Sequence, residues 1–436
     1  MAQPIPPLAV AQVSTLQTAD RSRVAAALSD VLPLTEERWF PRGNGYVPNP
    51  SERIEADSRA ITTGRRNNFL RYVAGSAFTH CGDAWGFLGR AMDSLLRGDV
   101  AGAVHLVYYA ELRAAISLLA SEGVFVGNRA HFVVTSSTIQ PFGVKDGTHR
   151  FAWQTLQAWT DSPRALAVFS QVVRPGGEAF GDWVSSLTSR AAQAKVDAVF
   201  KLMSLDLREF DQDHVRRNTA SYNPSRLRPR DMTARATRDL VSEVWRCLEP
   251  GPSGAFPVLD EALLPELLRS IYTSVHRGVV TWEHWVAKLA PASQVGTALL
   301  SAVQAQEPRT ISDTIVGAMY SSRTRETDPT VFLRPMLART VLLLRIATGS
   351  AIQLLRESGH AASSLGDWVT SLAVARGLWP DGAPLVDPTD LWADVELALE
   401  EADLATANSL HELFRDLPTG VLTFGQGERV PVWSFA

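Results

Sequence analysis

The sequence predicts an all-α protein: a helical bundle with a short extended insertion, followed by a second helical region. Apolar residues recur at three- and four-residue spacing along most of the chain, as on one face of an α-helix. The stretches with this period start at capping residues and stop at glycine or proline. The 436 residues are 45% apolar and 20% charged, which excludes a disordered or disulfide-rich chain and provides ample length for a buried core.

Two consecutive helices dominate this pattern. From Asp83, a candidate N-cap, apolar residues repeat at helical spacing to near Gly98. Asp99 can cap a second helix, which is apolar nearly all round and ends at Gly123, as expected for the central helix of a bundle. Its polar exceptions form one stripe at four-residue spacing: His105, Tyr109, Arg113 and Ser117. We interpret this stripe as core polar groups that neighbouring helices satisfy.

The helical period is lost between Arg129 and Gly147. The segment HFVVTSSTIQPFGVKDG predicts a short extended segment or hairpin inserted into the bundle. Further helices are predicted at 148–159, 162–173 and 180–203. Asp206 and Glu209 have the spacing of a capping box and predict a helix that runs to Asn223, before Pro224.

The segment EPGPSGAF, residues 249–256, is the predicted domain boundary because two prolines and two glycines interrupt any regular element there. It separates an N-terminal segment (1–82) and a helical domain (83–248) from a C-terminal helical domain (257–436). Helices in the latter are predicted at 260–276, 282–306, 329–356, 363–376 and 388–415, with a closing hairpin near Gly425.

Common signatures of catalytic and metal sites are missing from the sequence. There is no P-loop, His-Glu-x-x-His pair, Gly-x-Ser-x-Gly elbow or Cys-x-x-Cys, and only two cysteines. We therefore expect no cofactor and no structural metal. The most apolar stretch, 340–355, is too short to span a membrane, and the N-terminus lacks the form of a secretory signal, so a cytoplasmic protein is expected.

One predicted helix, 206–223, carries a dense polar face instead of an apolar stripe. Counting from His214, the residues at +3, +4, +7 and +8 share its face: Arg217, Asn218, Ser221 and Tyr222. Asp211 lies one turn earlier and can orient the imidazole. Residues 215–230 contain five arginines and no acid, a local positive field within a chain of net charge −4: Arg216, Arg217, Arg226, Arg228 and Arg230. Such a field attracts phosphate.

These residue types suit metal-independent cleavage of a phosphodiester, which needs a base for the ribose 2′-hydroxyl and fixed donors for the phosphate. The candidate catalytic residues are His214, Arg217, Asn218, Tyr222 and Asp211, and the candidate nucleic-acid contacts are Arg208, Arg216, Arg226, Arg228 and Arg230. The alternative is an exposed helix whose arginines pair with acids elsewhere.

Three segments resemble the HEPN superfamily of helical domains, named for higher eukaryotes and prokaryotes nucleotide-binding. YYAELRAAISLLASEG from Tyr108 resembles the family's second helix, with Arg113 at its polar position. His131 and the Gly147-Thr148-His149 segment resemble the region after that helix in larger members. RRNTASY resembles the Arg-polar-x-x-x-His signature. The resemblance covers about residues 83–224 and leaves the C-terminal region uncovered.

The resemblance implies a role in prokaryotic antiviral defence, where members with an intact signature are metal-independent endoribonucleases that act as dimers. Here Tyr222 replaces the signature histidine, and a phenol with a pKa near 10 is a poor base at neutral pH. His214 can compensate from the same face, or Arg208 with His214 can form an offset Arg-x5-His pair. We therefore expect a non-catalytic subunit that binds RNA, a nucleotide or a protein partner, or forms a homodimer. The alternatives are an active endoribonuclease and a purely structural helical adaptor.

Overall fold

The computed structural model describes residues 5–31, 40, 43–58, 61–185, 207–227, 232–276, 280–289, 293–305, 315–318, 329–383 and 385–435. Up to residue 246 the elements are α1 (Val10–Gln17), α2 (Arg21–Val31), α3 (Pro50–Asp57), α4 (Thr63–Leu96), α5 (Val100–Ser121), β1 (Val124–Val126), β2 (His131–Val134), β3 (Ile139–Pro141), α6 (Thr148–Thr160), α7 (Pro163–Val172), α8 (Phe180–Trp183), α9 (Leu207–Tyr222) and α10 (Ala234–Arg246). The later elements are α11 (Pro257–His276), α12 (Trp282–Val286), α13 (Gln294–Gln304), α14 (Ile315–Ala318), α15 (Pro329–Glu357), α16 (Gly366–Ala375), α17 (Asp390–Leu404), α18 (Leu410–Asp416), α19 (Pro418–Gly425) and α20 (Arg429–Phe435). The predicted all-α class is confirmed.

Helices α4 and α5 form the central hairpin of the protein. As predicted, Asp99 caps α5 by accepting a hydrogen bond from the Gly102 amide at 2.8 Å, and α5 ends before Gly123, whose φ is +88°. The predicted start of α4 at Asp83 is wrong. Thr62 caps α4 instead, because the apolar spacing continues upstream of Asp83 and buries residues from Phe69 onward.

Helix α5 is the core helix of the bundle. It packs against α4, α6, α9 and α15, and most of its residues are buried. Among the described residues it is the one helix long and apolar enough to cross a membrane, and 78% of its most apolar stretch is buried inside the protein. Its apolar surface is therefore covered by neighbouring helices, as for a core helix.

The predicted extended insertion is a small antiparallel sheet in the order β1-β2-β3. Phe125 lies opposite Phe132 and Val133 opposite Gln140 across its two ladders. The chain then enters α6 and α7, at the predicted positions, and Ser162 caps α7 with Pro163 in its first turn. Of the helix predicted at 180–203 the structure describes 180–185, with Phe180–Trp183 helical, and the remainder lies outside the described residues.

Helix α9 ends at Tyr222, where Asn223 and Pro224 begin a 3-10 turn, so the predicted stop is confirmed to within one residue. The start of this prediction, at Asp206, lies outside the described residues. Helix α9 packs on α5 and α6, and it also contacts the 3-10 turn at Pro224–Arg226 that directly follows it. That packing fixes which of its polar residues face inward.

The C-terminal region differs from its prediction at three points. The helices expected at 282–306 and 388–415 are each two helices in the described residues, α12 with α13 and α17 with α18. The hairpin expected near Gly425 is wrong, because the glycines form a turn between α19 and α20. A Cβ on Gly427 would lie 2.0 Å from the Trp85 carbonyl oxygen, and one on Gly89 would lie 2.1 Å from the Gly427 nitrogen. These glycines serve close backbone contact instead of a strand turn.

One continuous core extends across the proline- and glycine-rich segment at 249–256. Helix α15, from the C-terminal side, packs on both α4 and α5. The Trp85 indole donates a hydrogen bond to the Thr348 hydroxyl at 3.0 Å, and Phe78 packs edge-on against Phe435. Residues on both sides of this segment therefore fold against each other.

Candidate functional site

The polar residues of α9 meet α5 and α6 in a cluster that we call the tyrosine–histidine cluster. It consists of Tyr108 and Tyr109 from α5, His149 from α6, and His214, Arg217 and Asn218 from α9. Helical spacing places His214, Arg217 and Asn218 within one turn on one side of α9. The predicted convergence of imidazole, guanidinium and carboxamide is therefore present.

Hydrogen bonds join the three α9 residues in series. The Arg217 guanidinium donates from Nη1 to Asn218 Oδ1 at 2.7 Å and from Nη2 to the Tyr109 hydroxyl. Because Asn218 Oδ1 accepts, its Nδ2 donates to His214 Nε2, at 3.4 Å. The guanidinium also lies 5.7 Å from the Tyr108 ring centre and 5.2 Å from that of Tyr109, within cation–π range.

The rings of Tyr108, His149 and His214 lie against each other, with centres 5.6 to 5.8 Å apart. The Trp153 indole can only donate, and it donates to the Tyr108 oxygen at 3.2 Å. The Tyr108 hydroxyl oxygen also lies 2.8 Å from His149 Nδ1. We assign to His149 the tautomer with its hydrogen on Nε2, because Nδ1 then accepts the Tyr108 hydrogen and every polar hydrogen of the pair is bonded.

The environment keeps these imidazoles uncharged at neutral pH. Burial, with the positive charge of Arg217, lowers the pKa of His149 to about 4 and also lowers the pKa of His214. The same causes lower the pKa of His105. Burial raises the pKa of Asp211, although His214 opposes this change.

The polar stripe predicted on α5 contacts neighbouring helices at every position. His105 Nδ1 lies 2.7 Å from Ser221 Oγ, and Tyr109 accepts from Arg217. Arg113 donates to His80 Nδ1 at 2.8 Å, and Ser117 donates to the Ala77 carbonyl at 2.6 Å. The interpretation of this stripe as satisfied polar groups is confirmed.

A cavity of about 330 Å³ opens beside the tyrosine–histidine cluster. Its polar lining includes His80, Tyr109, Arg113 and His149, and its aromatic walls include Tyr72 and Phe125. Arg113 can only donate, so His80 Nδ1 accepts and His80 carries its hydrogen on Nε2. Burial, with the charge of Arg113, lowers the pKa of His80 to about 3. The cavity lining is therefore rich in hydrogen-bond donors.

Several predicted site residues are placed elsewhere. Tyr222 is 75% exposed and takes no part in the cluster, and no hydrogen bond joins Asp211 to His214 in the described residues. Arg216, a predicted nucleic-acid contact, is instead 8% exposed and paired with Asp213 at 2.7 Å, because it faces the opposite side of α9. Arg226 is exposed. The Arg208 side chain, Arg228 and Arg230 lie outside what the structure describes.

Sequence reasoning did not assign four residues to this site: His80, His105, Tyr108 and His149. The spacing of the α5 stripe was a usable signal, because it placed His105, Tyr109 and Arg113 on one line. His80 carried no such signal, since it lies on the segment of α4 that was not predicted to be helical. Within the described residues, no group of three histidine, cysteine or acidic side chains is arranged to hold a metal ion.

Comparison of the chain with protein-family models, with curated proteins and with solved structures finds no match.

Proposed function

We propose that this protein is a HEPN-like subunit of a prokaryotic defence system that binds a nucleotide, free or within RNA, without cleaving it. One observation carries the choice of binding over cleavage: three histidines at the site have their acceptor nitrogen occupied from within the protein. The donors are Arg113 to His80, Tyr108 to His149, and Asn218 to His214. A general base needs a free lone pair, so these imidazoles are poor bases as they stand.

The same tautomers favour an acceptor-rich ligand. His80 and His149 carry their hydrogen on Nε2, and both line the cavity together with the Arg113 guanidinium. The aromatic walls offer a stacking surface for a base, and about 330 Å³ is in the size range of small-ligand sites. A nucleotide combines a planar base with phosphate and carbonyl acceptors, and it therefore matches this lining.

Arg217 supports the proposal as the second cation near the site. A guanidinium has five N–H donors, and two of those on Arg217 serve Asn218 and Tyr109. These two bonds hold the guanidinium in place, and no carboxylate in the described part of the chain pairs with it. Its positive charge is therefore not neutralised by an acid within the cluster, as is expected of a phosphate contact.

A specific observation favours an endoribonuclease as the second candidate. When Ser221 Oγ donates its single hydrogen to the Arg217 carbonyl at 3.0 Å, it accepts from His105 Nδ1 at 2.7 Å. His105 Nε2 then keeps a free lone pair, and the lowered pKa of His105 keeps it unprotonated at neutral pH. In this candidate, His105 replaces His214 as the base, and Arg217 stabilises the phosphate.

The binding proposal is tested by fluorescence anisotropy with a short unstructured RNA and by calorimetry with a mononucleotide, in EDTA, between about 50 and 200 mM salt. We expect salt-dependent binding that Arg113→Gln and Arg217→Gln each weaken by about tenfold or more. The matched control is Arg235→Gln, an 81% exposed arginine on α10 outside this cavity. Mononucleotide binding without RNA binding identifies a free nucleotide as the ligand. The proposal fails if neither probe binds, which leaves the structural adaptor.

Incubation of the same RNA in EDTA decides between binding and cleavage. The binding proposal expects intact RNA. Cleavage that His105→Ala abolishes and that His214→Ala leaves largely intact would establish the endoribonuclease with His105 as its base. Cleavage that His214→Ala abolishes and that His105→Ala leaves largely intact would return the role of base to His214, as the sequence predicted.

A further inference from the structure

A second cavity, of about 200 Å³, lies between the end of α7, the turn at 252–255 and α15. Its charged and amide lining consists of three arginines and two glutamines, with no acidic residue among the lining side chains: Arg174, Arg345, Arg356, Gln171 and Gln353. It shares no lining residue with the cavity beside the tyrosine–histidine cluster. Guanidinium groups that line so small a space can donate hydrogen bonds to an anion.

Arg345 is a buried lining residue of this cavity, and hydrogen bonds hold its guanidinium in place. It is 2% exposed, and its Nε and Nη2 bind the Asp260 carboxylate at 2.8 and 2.7 Å. Nη2 also donates to the Val172 carbonyl, which ties α15 to the end of α7. No hydrogen bond in the described residues uses Nη1. Asp260 thus balances the charge of Arg345 while leaving donors on that guanidinium.

Arg174 adds a charge that no carboxylate balances within the cavity. Its guanidinium donates from Nε and Nη2 to the Gly177 carbonyl at 3.1 and 2.8 Å, a neutral acceptor that fixes its direction. Its backbone amide donates to Asp260 at 2.9 Å, so the Arg174 backbone and Arg345 share one anchor. The two guanidinium groups are therefore held in place before any ligand binds.

The Gln353 carboxamide completes the lining. Its oxygen is buried and has no hydrogen-bond partner in the described residues. The carboxamide is uncharged, so it adds no negative charge to the lining, whereas a glutamate at this position would.

We propose that this cavity binds the phosphate group of a small phosphate monoester. The positive charge of Arg174 attracts an anion, and the planar fork of arginine matches phosphate oxygens. A volume of about 200 Å³ suits a small phosphorylated molecule better than a nucleotide. Because the lining comes from both sides of the 249–256 segment, the ligand would strengthen the contact between α7 and α15.

The test is calorimetric titration of the full-length protein with inorganic phosphate, alongside thermal unfolding in phosphate or sodium chloride at equal ionic strength. We expect heat of binding, and a Tm increase in phosphate that chloride does not produce. Arg174→Gln removes a cation and should weaken phosphate binding by about tenfold. Gln353→Glu keeps the side-chain shape but adds a negative charge, and it should abolish binding.

A control locates the effect. Arg235→Gln, which changes an exposed residue of α10, should bind phosphate like the unaltered protein. Equal Tm increases in phosphate and chloride, or full phosphate binding by Gln353→Glu, would overturn the proposal. Loss of binding in Arg113→Gln alone would assign the phosphate to the cavity beside the cluster. Circular dichroism of each variant checks that it is folded.

Discussion

The two sides of helix α9 use the same residue types for different purposes. Arg216 and Arg217 are adjacent in the sequence, yet Arg216 is buried against Asp213 and the Phe332 ring, whereas Arg217 contacts hydroxyl and amide groups at the tyrosine–histidine cluster. Among the residues that the structure describes, the inner arginine is bound to a carboxylate and the outer one is not. A cation without an acidic partner is the one that remains suited to an anionic ligand.

The inner side of α9 belongs to a buried ion network that joins three helices. Asp213 of α9 accepts hydrogen bonds from both Arg216 and Arg339 of α15. Glu111 of α5 and Glu209 of α9 each have a carboxylate oxygen 3.8 Å from Arg339. Since each group depends on the others, the network fixes the rotation of α9, and that rotation presents His214, Arg217 and Asn218 to α5 and α6.

The largest expected effect comes from breaking the inner side. Asp213→Asn leaves Arg339 and Arg216 without their closest carboxylate and should lower the free energy of unfolding by about 3 to 5 kcal/mol. Urea denaturation followed by circular dichroism measures this loss. Asp211→Asn, on the same helix but only half-buried, is the matched control and should change stability by less than about 1 kcal/mol. Equal losses in the two variants would contradict the division into two sides.

The adjacent arginines give the sharpest comparison. Arg217→Gln should weaken nucleotide binding by about tenfold while lowering stability by only about 1 kcal/mol, because it loses two hydrogen bonds to neutral groups. Arg216→Gln should do the reverse: a loss of about 2 to 4 kcal/mol in stability, and unchanged binding by the fraction that stays folded. Urea denaturation gives the free energy of unfolding of each variant, and fluorescence anisotropy gives its affinity for the nucleotide ligand. Equal losses of binding in the two variants would show that Arg216 and Arg217 contribute alike to one positive electrostatic field.

This pair also shows how far the sequence predicts the site. The sequence places His214, Arg217 and Asn218 on one face because helical spacing is a local property, and the structure brings them together as predicted. It does not tell which arginine meets a buried acid, because Asp213 acts together with Arg339, which is 126 residues away in the chain. A count of charges over 215–230 therefore overestimates the local field.

For the fold, too, local features are the ones that the sequence predicts. Asp99 and Gly123 mark the two ends of α5 as predicted, because an N-cap and a left-handed backbone position depend on a few adjacent residues. The prediction of a hairpin at Gly427 is wrong because this glycine serves close backbone contact with Gly89. Gly89 belongs to α4, which is far away in the sequence. His149 likewise belongs to the site because it contacts the Tyr108 hydroxyl of α5. A sequence pattern along one segment does not predict a contact with another segment.

A smaller effect is expected from pH at the outer side. The folded protein keeps His149 uncharged down to a pKa of about 4, whereas the unfolded chain takes up the proton near 6.5. The contribution of His149 to stability is thus complete above pH 6.5 and is lost as the pH falls toward 4. His149→Gln, whose amide oxygen can accept from Tyr108, should show a shallower loss over this window in urea denaturation. His411→Gln, an exposed histidine, is the control. A variant curve parallel to the wild type would mean that His149 does not titrate differently on folding.

The smallest expected effect concerns Glu111, on the inner side. Burial, together with the negative charge of Asp213, raises the pKa of Glu111 above its usual value, although Arg339 opposes this shift. Below about pH 4.5 the Glu111 carboxyl is protonated in both the folded and the unfolded protein, so its burial does not involve a charge. As the pH rises, the unfolded chain loses the proton first, so the wild type loses stability.

Glu111→Gln cannot ionise, so it should match the wild type near pH 4 and be slightly more stable near pH 8, as measured by denaturation at both values. Ser117→Ala, which removes a hydrogen bond elsewhere on α5, should show the same difference from the wild type at both values. If Glu111→Gln instead loses stability at pH 8, the carboxylate is ionised and attracted to Arg339. The inner side would then contain three negative groups against two guanidiniums, and its excess negative charge would weaken the field that Arg217 offers on the other side of the helix.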